Sequence, residues 1–506
     1  MSFSAFAPRP AYLRGKIGVS SFAALFLLAA GLHAQTSDWI ATLVFGPVKP
    51  RLALHLMTAP GGSLTATADS IDQDAFDLPV TRIEQSGSRL RFEIPRLSGR
   101  FAGAFSGDGQ VLEGLWTQRG GTLPIRFERG NIRPQEPSPP YPYVQEPVVY
   151  RSGSIRLAGT LTLPRTPAPH PAVVLITGSG PQDRNDTVSG HRPFLVWADF
   201  LTRRGCAVLR ADDRGVGGSS GKLLDSTDED FAADALAAVE FLQSRPEIDP
   251  RRIGLLGHSE GAVVAAIAAS NGGAGEAVRA EPDSPAASRI AFVVLLAGPA
   301  LPGAQIVEAQ NERISRALGI PGPIAEKNRE IQRKLFAILA SEPGGAAAHR
   351  KMQRLLARET AGLSREEAAV VRGQVGTQIL TAASRWFRFV LSYDPRPALA
   401  KLACPVLALY GSLDLQVPAE INAPLMEQSL SANPHHQVIT LPGLNHMLQR
   451  AHTGSPAEYA QIEETVAPVV LETVGGWLAP TFLPPQLVHR IEPHRPCSRH
   501  VLEPAP

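Results

Sequence analysis

Cysteine is nearly absent from this chain. Three occur among 506 residues, Cys206, Cys404 and Cys497. So few cannot form a disulfide framework for a chain of this size, so the fold must rest on hydrophobic cores. An odd number leaves at least one thiol unpaired. Cys206 and Cys404 begin apolar, strand-like runs and are expected as buried thiols. No metal-ligand spacing links the three. His489, His494, Cys497 and His500 crowd the C-terminal end, but their spacing fits no common metal template. Net charge is lacking too: 49 basic and 47 acidic residues leave +2, which excludes the electrostatic footprint of a nucleic-acid partner.

Long apolar runs are confined to the N-terminus. Arg9, Arg14 and Lys16 precede the stretch Ile17 to Leu32, which is too short and too lightly flanked for a confident membrane span. Basic residues before a short apolar region mark residues 1–34 as a secretory signal peptide, with cleavage after Ala34 or, as a rival, after Gly31. An uncleaved anchor is the alternative. Cleavage would remove those three positive charges and turn the formal +2 into about −1. The expected compartment is periplasmic or secreted, with no stable membrane insertion after signal cleavage. The full chain is 44% hydrophobic and 19% charged, a globular composition long enough for two or three domains.

Residues 38–130 read as all-β. Apolar side chains alternate at Leu52, Leu54 and Leu56, at Leu90, Phe92 and Ile94, at Phe101, Gly103 and Phe105, and at Leu123, Ile125 and Phe127. Turn signals separate them, among them Gly107-Asp108-Gly109. About eight short antiparallel strands predict a small barrel or curled sheet. It carries no acid–base cluster, so it is an accessory module or a domain that serves stability. Residues 131–148 are proline-dense and predict a semi-rigid linker.

From 149 to 480, strands and helices alternate, which predicts a mostly parallel sheet with helices on both faces. Continuous apolar runs such as Ala172 to Thr177 fit strands buried on both sides. Thr227 and Asp230 have the spacing of a capping box at the start of a helix over Asp228 to Ser244. The stretch from Asn271 to Arg289 is rich in Gly, Ala and Pro and reads as a surface loop. Residues 305–394 carry helical but no strand signal and interrupt the sheet, so they are expected as a cap above the strand C-termini, where ligands bind in open α/β sheets. Trp386, Phe387, Phe389 and Tyr393 either line an acyl pocket beneath it or pack it onto the core. A last helix is expected over Ala457 to Leu478, and residues 481–506 as a disordered tail.

One stretch organises this second domain. Ile253 to Gly257 is a short apolar strand, and His258-Ser259-Glu260-Gly261 leads into a small-residue helix. Gly-x-Ser-x-Gly between strand and helix is a nucleophile elbow: the serine stands at a strained corner with its hydroxyl clear of the backbone. The bland alternative is a serine N-cap, which needs no flanking glycines. A serine hydroxyl requires a base, usually a histidine oriented by a carboxylate. Asp414 lies just past the apolar strand ending at Tyr410, and His446 sits in the loop after the last strand. Asp414 could instead be an Asx-turn residue. His258 is expected to pack under the turn, and His435 and His436 to be exposed. An oxyanion hole needs two N–H donors. Glu260 supplies one from its backbone, and Ser179, in Thr177-Gly178-Ser179-Gly180-Pro181, supplies the other.

Oxyanion loop, elbow, acid and histidine follow in the chain order of the α/β-hydrolase superfamily, which residues 145–480 resemble. The loop Gly178-Ser179-Gly180-Pro181-Gln182-Asp183-Arg184-Asn185, the elbow, and Asp212-Asp213-Arg214-Gly215-Val216-Gly217-Gly218-Ser219 resemble a narrower group of exported bacterial carboxylesterases, close to serine aminopeptidase-like hydrolases. Many relatives have His-Gly where this chain has Thr177-Gly178. The resemblance implies an α/β-hydrolase fold with a helical cap, preceded here by the small all-β domain. It also implies cleavage of short- to medium-chain carboxylic esters through Ser259, His446 and Asp414, with no cofactor and a small-molecule ester as substrate. Two alternatives stand beside it. The first is a serine aminopeptidase-like peptidase, for which Glu308, Glu312 and Glu326 of the cap are candidate amine-binding acids. The second is a non-enzymatic exported binding protein on a hydrolase scaffold. Arg184 and the Glu260 side chain are expected to pair at the pocket rim.

Overall fold

The computed structural model describes residues 35–44, 49–59, 63–73, 75–271, 290–342, 345–369, 371–372, 384–480 and 482. The expected signal peptide, most of the Gly/Ala/Pro-rich loop, Cys497 and nearly all of the expected tail lie outside them.

Nine antiparallel strands form the first unit: β1 (Gln35–Thr42), β2 (Arg51–Thr58), β3 (Leu64–Ser70), β4 (Ala75–Pro79), β5 (Thr81–Ser86), β6 (Arg89–Ile94), β7 (Gly99–Phe105), β8 (Val111–Gln118) and β9 (Gly121–Arg129). Their order is β4-β3-β2-β1-β9-β8-β7-β6-β5. The two end strands of this order are joined through Val80 alone. One residue spans only about 3.5 Å, so the sheet must curl until its edges meet. The Val80 N–H donates to the Ala66 carbonyl of β3 at 3.2 Å, which carries the β3–β4 ladder into that connection. The alternating residues do point inward: Leu52, Leu54, Leu90, Phe92, Ile94 and Phe127 are buried around Trp39 and Trp116. β5, with the sequence Thr-Arg-Ile-Glu-Gln-Ser and mostly exposed, carries no apolar alternation, so its strand was not legible in the sequence.

The proline-dense segment is shorter and more firmly held than a semi-rigid linker. Strand β10 starts at Val144, inside the expected linker. Upstream, Arg133 is 3% exposed and donates to the carbonyls of Ala460 (2.8 Å) and Ile462 (2.7 Å). Gln135 donates to the Val466 carbonyl and accepts from the Thr465 and Val466 amides. Glu136 accepts from the Arg192 amide. The barrel also touches the second unit directly: the Phe76 ring fills the space where any Cβ on Gly190 would stand, 2.3 Å away.

The second unit is an eight-stranded sheet ordered β10-β11-β13-β12-β14-β15-β16-β17. β10 (Val144–Ser152) and β11 (Ile155–Leu163) form an antiparallel hairpin, and β11 meets β13 (Ala207–Ala211) antiparallel. β13, β12 (His170–Ile176), β14 (Ile248–His258), β15 (Val293–Leu296), β16 (Val406–Gly411) and β17 (His436–Leu441) run parallel. Helix α1 (Pro193–Arg203) and the last helix, α10 (Pro468–Leu478), pack on one face through Phe194, Trp197, Val470 and Val474. Helices α2 (Asp228–Gln243), α3 (Glu260–Asn271) and α9 (Ala419–Leu430) pack on the other, through Ala235, Val239, Val264 and Met426. This is the expected fold class. The Thr227–Asp230 capping box forms as its spacing implies. The expected single helix over Ala457 to Leu478 is instead a 3₁₀ segment (Pro456–Gln461), a loop and α10, because Pro468 cannot donate the amide that a continuous helix needs.

Between β15 and β16 the chain forms α4 (Gly303–Ala317), α5 (Gly322–Ser341), α6 (Gly345–Thr360), α7 (Arg385–Ser392) and the short α8 (Arg396–Leu399). α5, α6 and α7 share a small core of Ile331, Leu335, Met352, Leu355 and Trp386. No described helix is long and apolar enough to cross a membrane.

The buried Arg133 contacts make a test of the docking. Arg133→Met should lower unfolding stability by about 1–3 kcal/mol, since it strands carbonyls that Arg133 now satisfies. Calorimetry against the exposed control Arg165→Met checks this, and equal melting of the two variants would show that the segment contributes nothing to docking.

Candidate active site

The elbow is built as close packing demands. A Cβ on Gly257 would stand 2.1 Å from the Gly261 carbonyl oxygen, and one on Gly261 would stand 2.2 Å from that of Ile176. Side chains at either position would drive α3 away from β14 and β12. Ser259 between them takes φ +56°, a left-handed conformation that costs a non-glycine residue about 1–3 kcal/mol. Its amide donates to Leu296 at the end of β15 (2.8 Å), which holds the turn in that state.

The acid and histidine arrive from the ends of β16 and β17. Ser259 Oγ and His446 Nε2 are 3.0 Å apart, and His446 Nδ1 and Asp414 Oδ2 are 2.8 Å apart. A carboxylate accepts, so Nδ1 carries the proton and Nε2 is left to accept from the serine hydroxyl. Asp414 Oδ1 accepts from the amides of Gln416 and Val417, both at 2.8 Å, so the carboxylate is oriented by its own turn. Asp414 is 3% and His446 4% exposed.

The loop facing the elbow is fastened by three aspartates. Thr177 Oγ1 and the Gln182 amide donate to the two oxygens of Asp213 (2.7 and 2.8 Å). Thr177, the departure from the His-Gly pattern, thereby ties down the start of the loop. Asp212 accepts from the Arg184 amide and from its guanidinium, at 2.9 and 2.6 Å. The Gly178 amide donates to Asp186 Oδ1 (3.1 Å). Among the described residues, the Ser179 and Glu260 amides have no acceptor in the chain.

Contrary to the expected Arg184–Glu260 pair, Arg184 pairs with Asp212. Asp212 lies closer and offers bidentate geometry, while Glu260 Oε1 accepts from the Trp386 indole at 2.6 Å. That bond ties α7 of the cap to the elbow. A cavity of about 440 Å³ lies between them, bordered by Ser179, Ser259, Glu260 and His446 on the sheet side. Ile306, Trp386, Phe387 and Tyr393 line its cap side, whereas Phe389 stacks on Tyr393 (centroids 5.0 Å apart) and packs against the core of the α/β unit. Glu308, Glu312 and Glu326 are not brought to this cavity; they pair with Arg333, with Arg316 and Arg329, and with Arg329. Cys206 and Cys404 are unpaired and buried, and burial pushes both thiols up to about 12.

A family model described as the alpha/beta hydrolase family matches residues 173–462. The chain belongs to the alpha/beta hydrolase family. Proteins similar to this chain include esterase EstD of Thermotoga maritima, 24% identical over 323 residues, which are 64% of this chain and 65% of EstD. The uncharacterized protein Rv2307c of Mycobacterium tuberculosis is 35% identical over 124 residues, 24% of this chain and 40% of that protein. The chain thus spans just under two thirds of EstD and two fifths of Rv2307c. Among solved structures, the Pyrococcus furiosus esterase Pf2001 aligns at 16% identity and a TM-score of 0.39, covering 67% of this chain and 91% of that one.

Two members of this site were not expected from sequence. His258 does more than pack under the turn. Its Nδ1 faces Asp186 Oδ2 (3.0 Å) and its Nε2 faces the His446 carbonyl (3.1 Å). Both partners accept, so both ring nitrogens donate and the imidazole is charged. Burial alone would lower its pKa, but Asp186 and that carbonyl outweigh burial and raise it. Asp186 itself is 1% exposed and also holds the Gly178 amide. The buried pair thus joins three loops: elbow, oxyanion loop and histidine loop. Nothing in the spacing of Asp186 signals this, although it directly follows the Gln182-to-Asn185 motif.

Asp186→Asn should cost about 3–5 kcal/mol, as when one partner of a buried pair is removed. His258 titrates higher folded than unfolded, so the pair's contribution is full below about pH 6.5 and is lost as the pH rises through the raised value. Equilibrium denaturation across that range should show the gap between wild type and variant widest on the acid side. A gap that ignores pH, or widens towards alkali, contradicts a charged His258.

Proposed function

We propose that the chain hydrolyses carboxylic esters of short to medium acyl length by an acyl-enzyme route. The observation that carries this is the unbroken relay from Asp414 through His446 to Ser259 at the mouth of the cavity. His446 Nε2 takes the hydroxyl proton as Ser259 Oγ bonds to the acyl carbon. The carbonyl oxygen becomes an oxyanion, for which the unengaged Ser179 and Glu260 amides are the candidate donors. The carbon–oxygen bond to the alcohol then breaks, and the alcohol leaves with the proton from His446. Water enters by the same steps in reverse order, releasing the acid and restoring Ser259. Asp414 keeps the proton on Nδ1 and steadies the imidazolium. No cofactor enters any step. Likeness to EstD, named an esterase, favours an ester over an amide substrate. The basic and then apolar residues 1–34 favour export, to the periplasm or beyond.

p-Nitrophenyl esters of increasing acyl length, beside aminoacyl p-nitroanilides, test the reading. The account expects ester turnover that falls with long chains. It also expects losses of about 10⁶-fold in Ser259→Ala or His446→Ala and a smaller loss in Asp414→Ala. Anilide turnover with negligible ester turnover would establish the peptidase instead. Folded protein that turns over neither would leave a binding protein.

A further inference from the structure

Two carboxyl groups border the cavity beside Ser259 without a cation of their own. Asp228 opens α2 and is 2% exposed, and Glu260 opens α3 and is 8% exposed. Both line the cavity. Of the surrounding aspartates, Asp186 is matched by His258, Asp212 by Arg184, and Asp230 and Asp234 by Arg214, while Asp213, which does not line this cavity, is held by the Thr177 hydroxyl and the Gln182 amide. Among the described residues, neither Asp228 nor Glu260 forms an ion pair. Asp228 Oδ1 and Glu260 Oε2 are buried and receive no hydrogen bond from any donor among the described residues.

Both border the same cavity, and each acts on the other's titration. Two carboxylates repel unless a proton lies between them, so the pair holds one proton and one negative charge. Burial first, then the neighbouring Glu260, push the Asp228 carboxyl well above the usual range. Burial raises Glu260 as well, against the opposing bonds from the Trp386 indole and the Ser179 hydroxyl. A single unmatched charge in a cavity walled by Val263, Ile306, Phe387 and Val390 is costly and adds nothing to packing. It is balanced if a cation comes with the ligand.

We propose that Asp228 and Glu260 form a subsite for a primary ammonium group on the acyl part of the substrate, so that the site favours aminoacyl esters over neutral esters of the same shape. This rests on the ester-hydrolase reading. Glu260 places the subsite next to the acyl carbonyl, because its own amide stands beside Ser259 while its side chain reaches the cavity. The ammonium brings three N–H donors to carboxyl oxygens that lack them, and its charge cancels that of the pair. The cap closes over the same point through Trp386.

The test compares p-nitrophenyl L-alaninate with p-nitrophenyl isobutyrate, in which a methyl replaces the ammonium. At about pH 6 the α-amino group is charged. An ammonium activates an ester chemically, so the quantity to read is the change in the alaninate:isobutyrate ratio of kcat/KM between wild type and variant, where that effect cancels. Asp228→Asn and Glu260→Gln are each expected to lower the ratio at least about tenfold. A ratio unchanged in both overturns the subsite. A second measurement needs no variant: sec-butylammonium should inhibit isobutyrate turnover by the wild type competitively and at least about tenfold more tightly than sec-butanol. Equal or weaker inhibition by the ammonium also overturns it. Isobutyrate turnover without any ammonium preference removes the subsite and leaves the ester reading intact. Failure of the wild type to turn over either ester removes that reading and the subsite with it.

Discussion

The contact on which the rest depends is the bare backbone approach of α3 to β14 and β12 at Gly257 and Gly261. Because nothing intervenes there, the chain turns from strand to helix within one residue. Ser259 is forced into the left-handed region and stands proud of the sheet edge. The strain is held by the Leu296 carbonyl on one side and by a helix that is buried along nearly its whole length on the other. Parallel strands then bring Asp414 and His446 to the same edge from two further loops. Ser259 is thus presented by a corner packed backbone against backbone, and Asp414 and His446 come to it from loops.

Loops need fastening, and here carboxylates do it. Asp213 gathers both ends of the oxyanion loop, Asp212 anchors Arg184 beyond it, and Asp186 joins it to His258. His258 in turn holds the backbone of His446. These bonds run between segments far apart in sequence, so the geometry at Ser259 depends on the whole α/β unit being folded. The barrel and the proline-dense segment reinforce one side of it, where Arg133 and Gln135 bind the loop that leads into α10.

Much of this was legible in the residues. Period-two alternation marked the barrel strands, continuous apolar runs marked the parallel strands, and Gly-x-Ser-x-Gly between strand and helix marked the elbow. Asp414 and His446 could be chosen because each follows a core strand. The residues that escaped are those whose roles depend on distant partners. β5 is polar and pairs with β6 without an apolar alternation to announce it. Asp186 matters through residues 72 and 8 positions away, His258 and Gly178. Asp228 has the sequence position of an ordinary first-turn acid of α2, which suits the helix dipole, and only the fold brings it to the same cavity as Glu260. Arg184 was matched to the wrong acid because sequence order does not reveal which of Asp212 and Glu260 lies nearer.

The central claim is that Ser259 is the nucleophile, armed by His446. The most direct measurement is the mass of the protein after brief exposure to an aryl fluorophosphonate, followed by peptide mapping of the adduct. The account predicts one adduct per chain, on the peptide containing Ser259, with labelling lost in His446→Ala while that variant remains folded. Folded wild type that stays unlabelled, or is labelled at another residue, would contradict it.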